Sequence, residues 1–551
     1  MEVSKSAQII GLITWMMIVS SGFLNADPLQ DANKVSDDAT VKKITMLFKA
    51  HCNRCHGEKK PGGMVRLDNL PFDLTSHSDI WFSVREQIDQ ELMPPDNAQR
   101  FSKSDGKIIV QWIDKKFETF APKLPNKGNL IPHELLFGKE LTKGNEKGVG
   151  KQNALGGEKL APMDLARAIS LALGDRKDEM IFQAAHKGEL ITKDQVQIHV
   201  RRMLDDPKLE NPRLLNFFRE YFGYGNAAKI VKDKPDDFMY ESRTLVEDTD
   251  RLVFHVLIAD KNVLRELLTT RVSFVNTAKK MNMQTHIEDL VRAVIPNPPD
   301  KNNKVQSGLE SVYGVAEWPS TQPILLPEGT RIGVLMQPSW LIAFSTNFDN
   351  DPVRRGRWVR ERLLGGTVPD MPKGVVVKVS DEKHLPLRDR LKATREGQCL
   401  NCHRFMDDLG LPFENFDHYG RFRLTETVLD LEATAKNIDK NAKPLGSIHH
   451  EVESNTKGSI TYSGDAILNG PVNNPREMIQ RLAKSDRVRQ VFIRHVFRYF
   501  LGRNETLADA KTLQQADKDY VESQGSFKAL VASLLSSDSF LTRSTSDKQL
   551  E

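Results

Sequence analysis

Two short motifs of identical spacing contain all four cysteines of the 551-residue chain. They read Cys-Asn-Arg-Cys-His at residues 52–56 and Cys-Leu-Asn-Cys-His at residues 399–403. Because the cysteines of each motif are three residues apart, one helical turn carries both thiols on one side and places the histidine beside them. Two thiols that bond to the vinyl groups on one edge of a porphyrin, followed by an imidazole beneath the iron, form the attachment site of c-type haem. Both motifs therefore predict covalently bound haem c.

Other chemistry uses the same cysteine spacing. Each pair could close a disulfide in an oxidising compartment, and cysteines from both motifs, with or without a histidine, could bind one zinc ion. With 14 histidines in 551 residues, the chance that one follows each pair is the square of this fraction, on the order of one in 1,500. The histidines therefore favour haem over a disulfide or zinc.

The residues before the first motif predict how it is held. Cys52 and Cys55 would bond the haem covalently, and His56 would be the proximal ligand of its iron. A helix over residues 42–51, with apolar side chains on one face, would pack against the porphyrin edge and lead into the motif.

A methionine after the first motif is the expected sixth ligand. Met93 is followed by two prolines that hold the backbone extended, and a thioether ligand favours ferrous iron and suits electron transfer. Met64 is a rival ligand that we expect instead in the core or a loop. Helices over residues 80–92 and 104–117 would complete a small domain that ends at about residue 120.

The second motif lacks a comparable sixth ligand. Cys399 and Cys402 would bond a second haem with His403 as its proximal ligand, but Met406 is too close in sequence to reach the opposite face and is expected to pack in the core. If no side chain binds there, the iron is five-coordinate and could accept peroxide or another small ligand. The other candidates for the distal position are Met371, His384, His418, His449, His450 and His495.

Acidic residues cluster beside the second motif. Asp407 and Asp408 follow it closely, and Glu414 and Asp417 come soon after. These carboxylates could orient His403, form ion pairs with nearby arginines or take up protons. Structural pairing or solvation is the expectation for them as a group.

The composition bounds the class of protein. A length of 551 residues corresponds to three or four domains, and 39% hydrophobic with 28% charged residues is ordinary for globular chains. The net charge of +4 is too small to predict binding to nucleic acid or to an anionic membrane. The sequence also has no glycine-rich phosphate loop, no GxSxG and no HExxH.

The N-terminus has the outline of a secretory signal. An apolar stretch at residues 9–19 is followed by small and polar residues up to Ala26, after which we expect cleavage. The alternative is an uncleaved anchor, but the stretch is shorter than the roughly 20 residues that span a bilayer. No other segment is apolar enough for a membrane span. The chain is therefore expected in the periplasm or another extracytoplasmic part of the cell envelope.

Helical periodicity dominates the chain beyond the first domain. Apolar stripes at residues 165–173, 214–222, 245–257 and 488–500 predict helices with buried faces, and residues 425–470 have the short, turn-rich runs of a β-hairpin. The predicted fold is therefore mainly α. It combines a small class I-like cytochrome c domain with a larger helical multi-domain body that contains a minor β-hairpin region.

The predicted organisation has six segments. In chain order they are a signal peptide (1–26), a cytochrome c-like haem domain (27–120), a linker (121–157), helical domains (158–330), a domain with the second motif (331–470) and a C-terminal helical domain (471–551).

Short sequences along most of the chain point to one family. CNRCHG, GGMVRLDNL and ELMPPD lie in the first domain, LAPMDLAR and VRRMLDDP in the helical domains, CLNCHRFMD and GLPFENFD around the second motif, and RYFLGR and SSDSF near the end. Together they resemble the multi-domain c-type cytochromes of planctomycetes, in which domains of unknown function follow an N-terminal cytochrome domain. The resemblance implies this architecture and secretion but no reaction, because the appended domains have no assigned activity.

Three functions fit these residues. The expected one is one-electron transfer by an exported cytochrome with haem c at both motifs. An alternative is a dihaem redox enzyme, similar to a peroxidase or oxidase, in which the second haem does the chemistry. A third is a binding module whose second motif is structural. Whether the chain is an enzyme stays open, and the sequence does not identify the redox partner protein.

Overall fold

The structure of the chain, a computed structural model, divides into two compact units. The first lies within residues 1–72 and 93–112, and the second within residues 73–92 and 113–551. The residues described are 28–59, 65–72, 74, 77–89, 93–95, 98–120, 131, 133–137, 157–174, 178–206, 211–232, 242–275, 312–313, 322–368, 382–397 and 399–544.

Some sequence predictions fall outside the described residues. They are the signal peptide at residues 1–26, most of the linker at 121–157, and the two candidate ligands Met64 and Met371. In the part of the chain that is described, no helix combines the length and apolarity needed to cross a membrane.

Helices dominate the described chain, which confirms the predicted mainly-α fold. The helices are α1 (Pro28–His51), α2 (Ser78–Asp89), α3 (Lys103–Phe120), α4 (His133–Phe137), α5 (Pro162–Leu173), α6 (Glu179–His186), α7 (Lys193–Asp205), α8 (Pro212–Phe222), α9 (Ser242–Ala259), α10 (Val263–Thr269), α11 (Pro338–Ala343), α12 (Pro352–Trp358), α13 (Leu387–Arg390), α14 (Leu400–His403), α15 (Asp407–Gly410), α16 (Leu431–Lys436), α17 (Pro475–Leu482), α18 (Asp486–Leu501), α19 (Ala510–Glu522), α20 (Phe527–Leu535) and α21 (Asp538–Leu541). Tighter 3₁₀ turns occupy Tyr224–Lys229, Val334–Met336, Leu391–Arg395, Leu411–Asn415 and Leu507–Asp509, and a π-helical turn occupies Val359–Leu363.

The strands are short and pair in antiparallel twos. They are β1 (Gly157–Lys159) with β8 (Thr542–Ser544), β2 (Val272–Ser273) with β3 (Ile324–Leu325), β4 (Thr425–Leu429) with β5 (His449–Glu453), and β6 (Gly458–Ile460) with β7 (Gly470–Val472). The last two pairs confirm the minor β region expected around residues 425–470. The connection between β4 and β5 is long and contains α16, so this pair is not a tight hairpin.

In the first unit, α1 leads directly into the first cysteine motif. Ile44 and Phe48 lie four residues apart on one side of this helix, and both are buried. Lys43 forms an ion pair of 2.9 Å with Asp105 in the first turn of α3, which ties the two helices together. The helix predicted over residues 42–51 is therefore the last part of a longer one.

The second unit takes up α2 and the end of α3. Arg85 of α2 lies 3.0 Å from Asp114 of α3, and Phe82 stacks on Phe117 with 3.8 Å between the ring centroids. The cytochrome-like segment predicted at residues 27–120 therefore contributes to both units.

The segment predicted as a linker contains a short helix that belongs to the second unit. Leu136 of α4 is fully buried in the main hydrophobic core, and Glu134 forms an ion pair of 2.6 Å with Arg487. The apolar run of α4 at residues 135–137 is short and lies among polar and glycine-rich residues, so the sequence did not indicate that the core buries it. This part of the predicted linker is thus ordered and packed.

One hydrophobic core occupies most of the second unit. Phe217 of α8 lies 5.8 Å from Phe492 of α18 and 5.5 Å from Phe527 of α20, measured between ring centroids. The apolar stripes read from the sequence therefore face one another as core. Helix α18 ends at Leu501 because Gly502 takes the left-handed conformation, with φ of 68°.

Candidate haem-attachment sites

The first motif is a helical turn that continues from α1. The amides of Cys52 and Asn53 both bond to the carbonyl oxygen of Phe48 at 2.9 Å, and the amides of Cys55 and His56 bond to the carbonyl oxygen of Cys52 at 3.0 and 2.9 Å. The turn therefore places both cysteines and the histidine as the spacing predicts.

Gly57 allows the chain to leave this turn. A Cβ atom at this position would lie 2.6 Å from the carbonyl oxygen of Asn53, closer than non-bonded atoms approach. The glycine directly after the histidine is thus part of what shapes the first motif.

The His56 ring is held by a backbone carbonyl. Its Nδ1 atom lies 3.0 Å from the carbonyl oxygen of Val65, and a carbonyl can only accept, so Nδ1 carries the proton and donates it. The amide of Leu67 bonds to the carbonyl oxygen of His56 at 2.8 Å and fixes the same loop. This arrangement leaves Nε2 with its lone pair available for iron.

One thiol in each motif lies in surroundings that disfavour its ionised form. Burial raises the pKa of the Cys52 thiol to about 11, and the neighbouring Cys55 adds to the shift. All four cysteines lie in the described part of the chain, and no disulfide joins any two of them. In the second motif burial raises the pKa of Cys402.

Met93 belongs to the same unit as the first motif. Met93 is partly buried and Pro94 after it is buried, and the peptide bond between them is cis. Its role as the sixth ligand stays a prediction.

The second motif repeats the backbone turn of the first. The amides of Cys402 and His403 bond to the carbonyl oxygen of Cys399 at 3.2 and 3.1 Å. Here no long helix leads in; the motif lies on the four-residue helix α14, after the 3₁₀ turn Leu391–Arg395. The same residue types at the same spacing therefore form the same turn in a different setting.

The His403 ring is held by a carboxylate. Its Nδ1 atom lies 2.8 Å from Oδ1 of Asp407, which is 3% exposed. The other carboxylate oxygen of Asp407 lies 2.6 Å from Oγ1 of Thr394. Of the sequence-predicted roles for the acidic cluster, orientation of His403 is therefore the one that Asp407 fulfils.

A close helix crossing fixes Asp407. A Cβ atom at Gly356 of α12 would lie 1.7 Å from the carbonyl oxygen of Met406, and one at Gly410 of α15 would lie 1.7 Å from the carbonyl oxygen of Pro352. Only glycine permits these two backbones to approach so closely. The crossing sets the position of α15, which begins at Asp407.

A fully buried arginine clamps the segment after the second motif. Arg360 donates to the carbonyl oxygens of Phe405 at 3.0 Å and of Thr461 and Tyr462 at 2.6 Å each. Met406 is buried in the cluster that includes Phe405 and partly buried Cys402. Its position agrees with the predicted packing role.

The remaining acids of the cluster form ion pairs with arginines. Asp408 lies 3.4 Å from Arg395, and Asp417 lies 2.6 Å from Arg421. Glu414 is fully buried, and this burial raises its pKa to about 7.

Among the described candidates for a sixth ligand at the second motif, three histidines lie close to other side chains. The ring of His418 lies 4.1 Å from that of Tyr419. His495 is buried, and its Nδ1 lies 3.3 Å from a guanidinium nitrogen of Arg362. His449 and His450 are exposed on β5, with His450 3.8 Å from Asp430. His384 is partly buried, and Met371 lies outside the described residues. The sixth ligand of a second haem is therefore not assigned.

Sequence reasoning missed Thr394, the Val65 carbonyl and the Arg360 clamp. A threonine in a 3₁₀ turn has no pattern that links it to a carboxylate 13 residues later. A backbone carbonyl carries no residue-type signal at all. Among the residues that the structure describes, no group of three or more His, Cys, Asp and Glu side chains could hold a metal ion by itself.

Models of four protein families match the chain. The model of cytochrome c oxidase, cbb3-type, subunit III, matches residues 39–113, which contain the first motif. Three models described as proteins of unknown function match further along, DUF1592 at residues 160–280, DUF1588 at 331–426 with the second motif, and DUF1585 at 470–540. No curated protein and no solved structure matches the chain.

Proposed function

We propose that this chain, which carries a cytochrome c domain followed by the domains of unknown function typical of planctomycete multi-haem cytochromes, is an exported dihaem protein that transfers single electrons. The four matches confirm the family resemblance seen in the sequence. The cytochrome c domain indicates haem-based electron transfer. What we add is a haem at each motif and export of the chain.

The shared geometry of the two motifs carries the proposal. In each, the second cysteine and the histidine donate their amides to the carbonyl oxygen of the first cysteine. In each, Nδ1 of the histidine has a partner, which leaves Nε2 to face an iron. A haem bound there supplies an iron that accepts and releases one electron.

The residues of the first motif have separate roles in this proposal. Cys52 and Cys55 would hold the porphyrin edge, and His56, oriented by the Val65 carbonyl, would bind the iron through Nε2. Met93 would supply a thioether ligand, whose soft sulfur favours the ferrous state.

A redox enzyme is the second candidate function, and one observation favours it. Cys399 and Cys402 would hold the second haem, but His403 bonds to a carboxylate where His56 bonds to a carbonyl. Of the distal candidates, His418 and the others whose contacts are described lie against other partners. If no side chain fills its sixth position, a haem at this motif would have an open face for a small ligand.

Haem stoichiometry tests the proposal. The full chain is produced in cells that attach c-type haem, and pyridine haemochrome is measured per chain. We expect two haems in the parent and one in each of the double variants Cys52→Ala/Cys55→Ala and Cys399→Ala/Cys402→Ala, which serve as controls for each other. One haem in the parent that is retained in the second variant would contradict the dihaem proposal and leave a structural role for the second motif.

The spin state of the second haem separates the carrier from the enzyme. In the Cys52→Ala/Cys55→Ala variant the second haem is observed alone. A low-spin spectrum that cyanide leaves unchanged supports an electron carrier, whereas a high-spin spectrum that cyanide converts to low spin supports the enzyme.

Export is tested on the mature chain. Mass spectrometry of the protein from the periplasmic fraction is expected to find an N-terminus at Asp27, directly after Ala26. A chain that still begins at Met1 would contradict cleavage.

A further inference from the structure

The two motif histidines differ in the charge of their hydrogen-bond acceptor. His56 donates Nδ1–H to the neutral carbonyl of Val65 at 3.0 Å, and His403 donates to the carboxylate of Asp407 at 2.8 Å. A hydrogen bond to an ionised acceptor is about twice as strong as one between neutral groups. The second imidazole is therefore polarised more strongly than the first.

Asp407 is placed so that this polarisation is not screened by water. Its side chain is buried, and the interaction with His403 acts in surroundings of low dielectric constant. Thr394, also buried, can donate its single hydroxyl proton to the second carboxylate oxygen at 2.6 Å. The next residue, Asp408, instead pairs with Arg395 and is half exposed.

We propose that Asp407, supported by Thr394, is a positioning residue that gives His403 the character of a histidinate and thereby makes the second motif the low-potential haem site of the chain. An anionic partner raises the basicity of the ligating nitrogen, and a more basic ligand stabilises ferric over ferrous iron. The inference rests on the proposed function, since it requires a haem at the second motif.

The substitution Asp407→Asn tests the charge while keeping the shape. The amide oxygen of asparagine still accepts from Nδ1–H, and its NH₂ group can donate to Oγ1 of Thr394, whose hydroxyl then donates to the carbonyl oxygen of Leu391 at 2.7 Å. The variant therefore leaves no buried polar group without a partner. Asp408→Asn is the matched control, because it removes the same charge from the adjacent residue.

Spectroelectrochemical titration of the full chain measures the potential of each haem. In Asp407→Asn we expect the ferric-to-ferrous equilibrium of the second haem to shift at least tenfold toward ferrous, which is about 59 mV upward for one electron. The potential of the first haem in Asp407→Asn, and both potentials in Asp408→Asn, are expected to equal those of the parent within the error of the measurement. Resonance Raman spectra should show a weaker iron–histidine bond at the second haem of Asp407→Asn.

Two results would overturn the inference. One is a second haem whose potential and iron–histidine bond are the same in Asp407→Asn and in the parent. The other is an equal shift in Asp407→Asn and Asp408→Asn, which would assign the effect to general charge instead of the bond to His403. Failure of the proposed function looks different, because the parent would then carry no haem that Cys399→Ala/Cys402→Ala removes.

Discussion

The two cysteine motifs have the same backbone turn and different support. The first continues from the 24-residue helix α1, whereas the second lies on the four-residue helix α14, with Arg360 clamping the segment that follows it. His56 is oriented by a carbonyl and His403 by a buried carboxylate. The five residues of each motif therefore determine the geometry of the turn, whereas the surroundings would determine how a group attached there behaves.

The largest effect is expected from the addition of a single methyl group at the helix crossing beside the second motif. Gly356→Ala would place a Cβ atom 1.7 Å from the carbonyl oxygen of Met406, and neither backbone can move away without disrupting α15. We expect the second unit to lose about 3 kcal/mol or more of stability, and the second motif to lose its haem while the first keeps its own. Denaturant unfolding and haem content measure both effects.

A glycine in open surroundings provides the control for this substitution. A Cβ atom at Gly225 would have no neighbour within 4 Å, so Gly225→Ala should retain both haems. If Gly356→Ala behaved like Gly225→Ala, the glycine crossing would not be what positions the second motif.

The second prediction contrasts the pH dependence of the two units. Glu414 is buried with a pKa of about 7, whereas an unfolded glutamate titrates near 4.3. Between these values the folded state binds more protons, so the stability of the second unit falls as pH rises, by up to about 4 kcal/mol. In the first unit a hydrogen bond from Lys43 lowers the pKa of Asp105, so the contribution of that carboxylate is lost as pH falls.

Glu414→Gln should remove the fall in stability, because glutamine stays neutral. Urea midpoints of the second unit at pH 4.5, 6 and 8 measure the effect, and Glu432→Gln on the exposed face of α16 is the control. A parent whose second unit becomes more stable over this pH range would refute the assignment to Glu414.

The smallest expected effect concerns Met93, the proposed sixth ligand at the first motif. Met93→Ala would remove the proposed thioether ligand, and we expect the potential of the first haem to fall by at least about 59 mV, a tenfold change in the redox equilibrium. The charge-transfer absorption of a methionine-bound ferric haem should disappear as well. Met46→Ala on the exposed side of α1 is the control; equal potentials in the two variants would exclude Met93 as the ligand.

Much of the fold could be predicted because helical periodicity is local. The stripe at residues 488–500 became α18, with Gly502 as its left-handed end. The packed helix α4 could not be predicted, since three apolar residues in a polar segment indicate burial only when a core is there to receive them. The pairing of β4 with β5 across 19 intervening residues depends on contacts that no short window contains.

The candidate sites divide in the same way. Cys52, Cys55 and His56 and their counterparts at 399–403 are evident from spacing alone. The acidic cluster was visible too, but its pattern did not distinguish Asp407 from Asp408. Thr394 had no signal, because its contact with Asp407 exists only once the 3₁₀ turn before the second motif has folded against α15.

By itself, the sequence determined the two candidate sites of haem attachment, because both thiols and the imidazole of each lie within one helical turn and need no distant residue. Only the tertiary structure decided what each histidine donates to. The close crossing at Gly356 and Gly410 positions the start of α15, so that Asp407 reaches His403 and Asp408 reaches Arg395. Two motifs of identical spacing thereby acquire different electrostatic surroundings, because the acceptor and its burial are set by packing and not by the spacing of the motif.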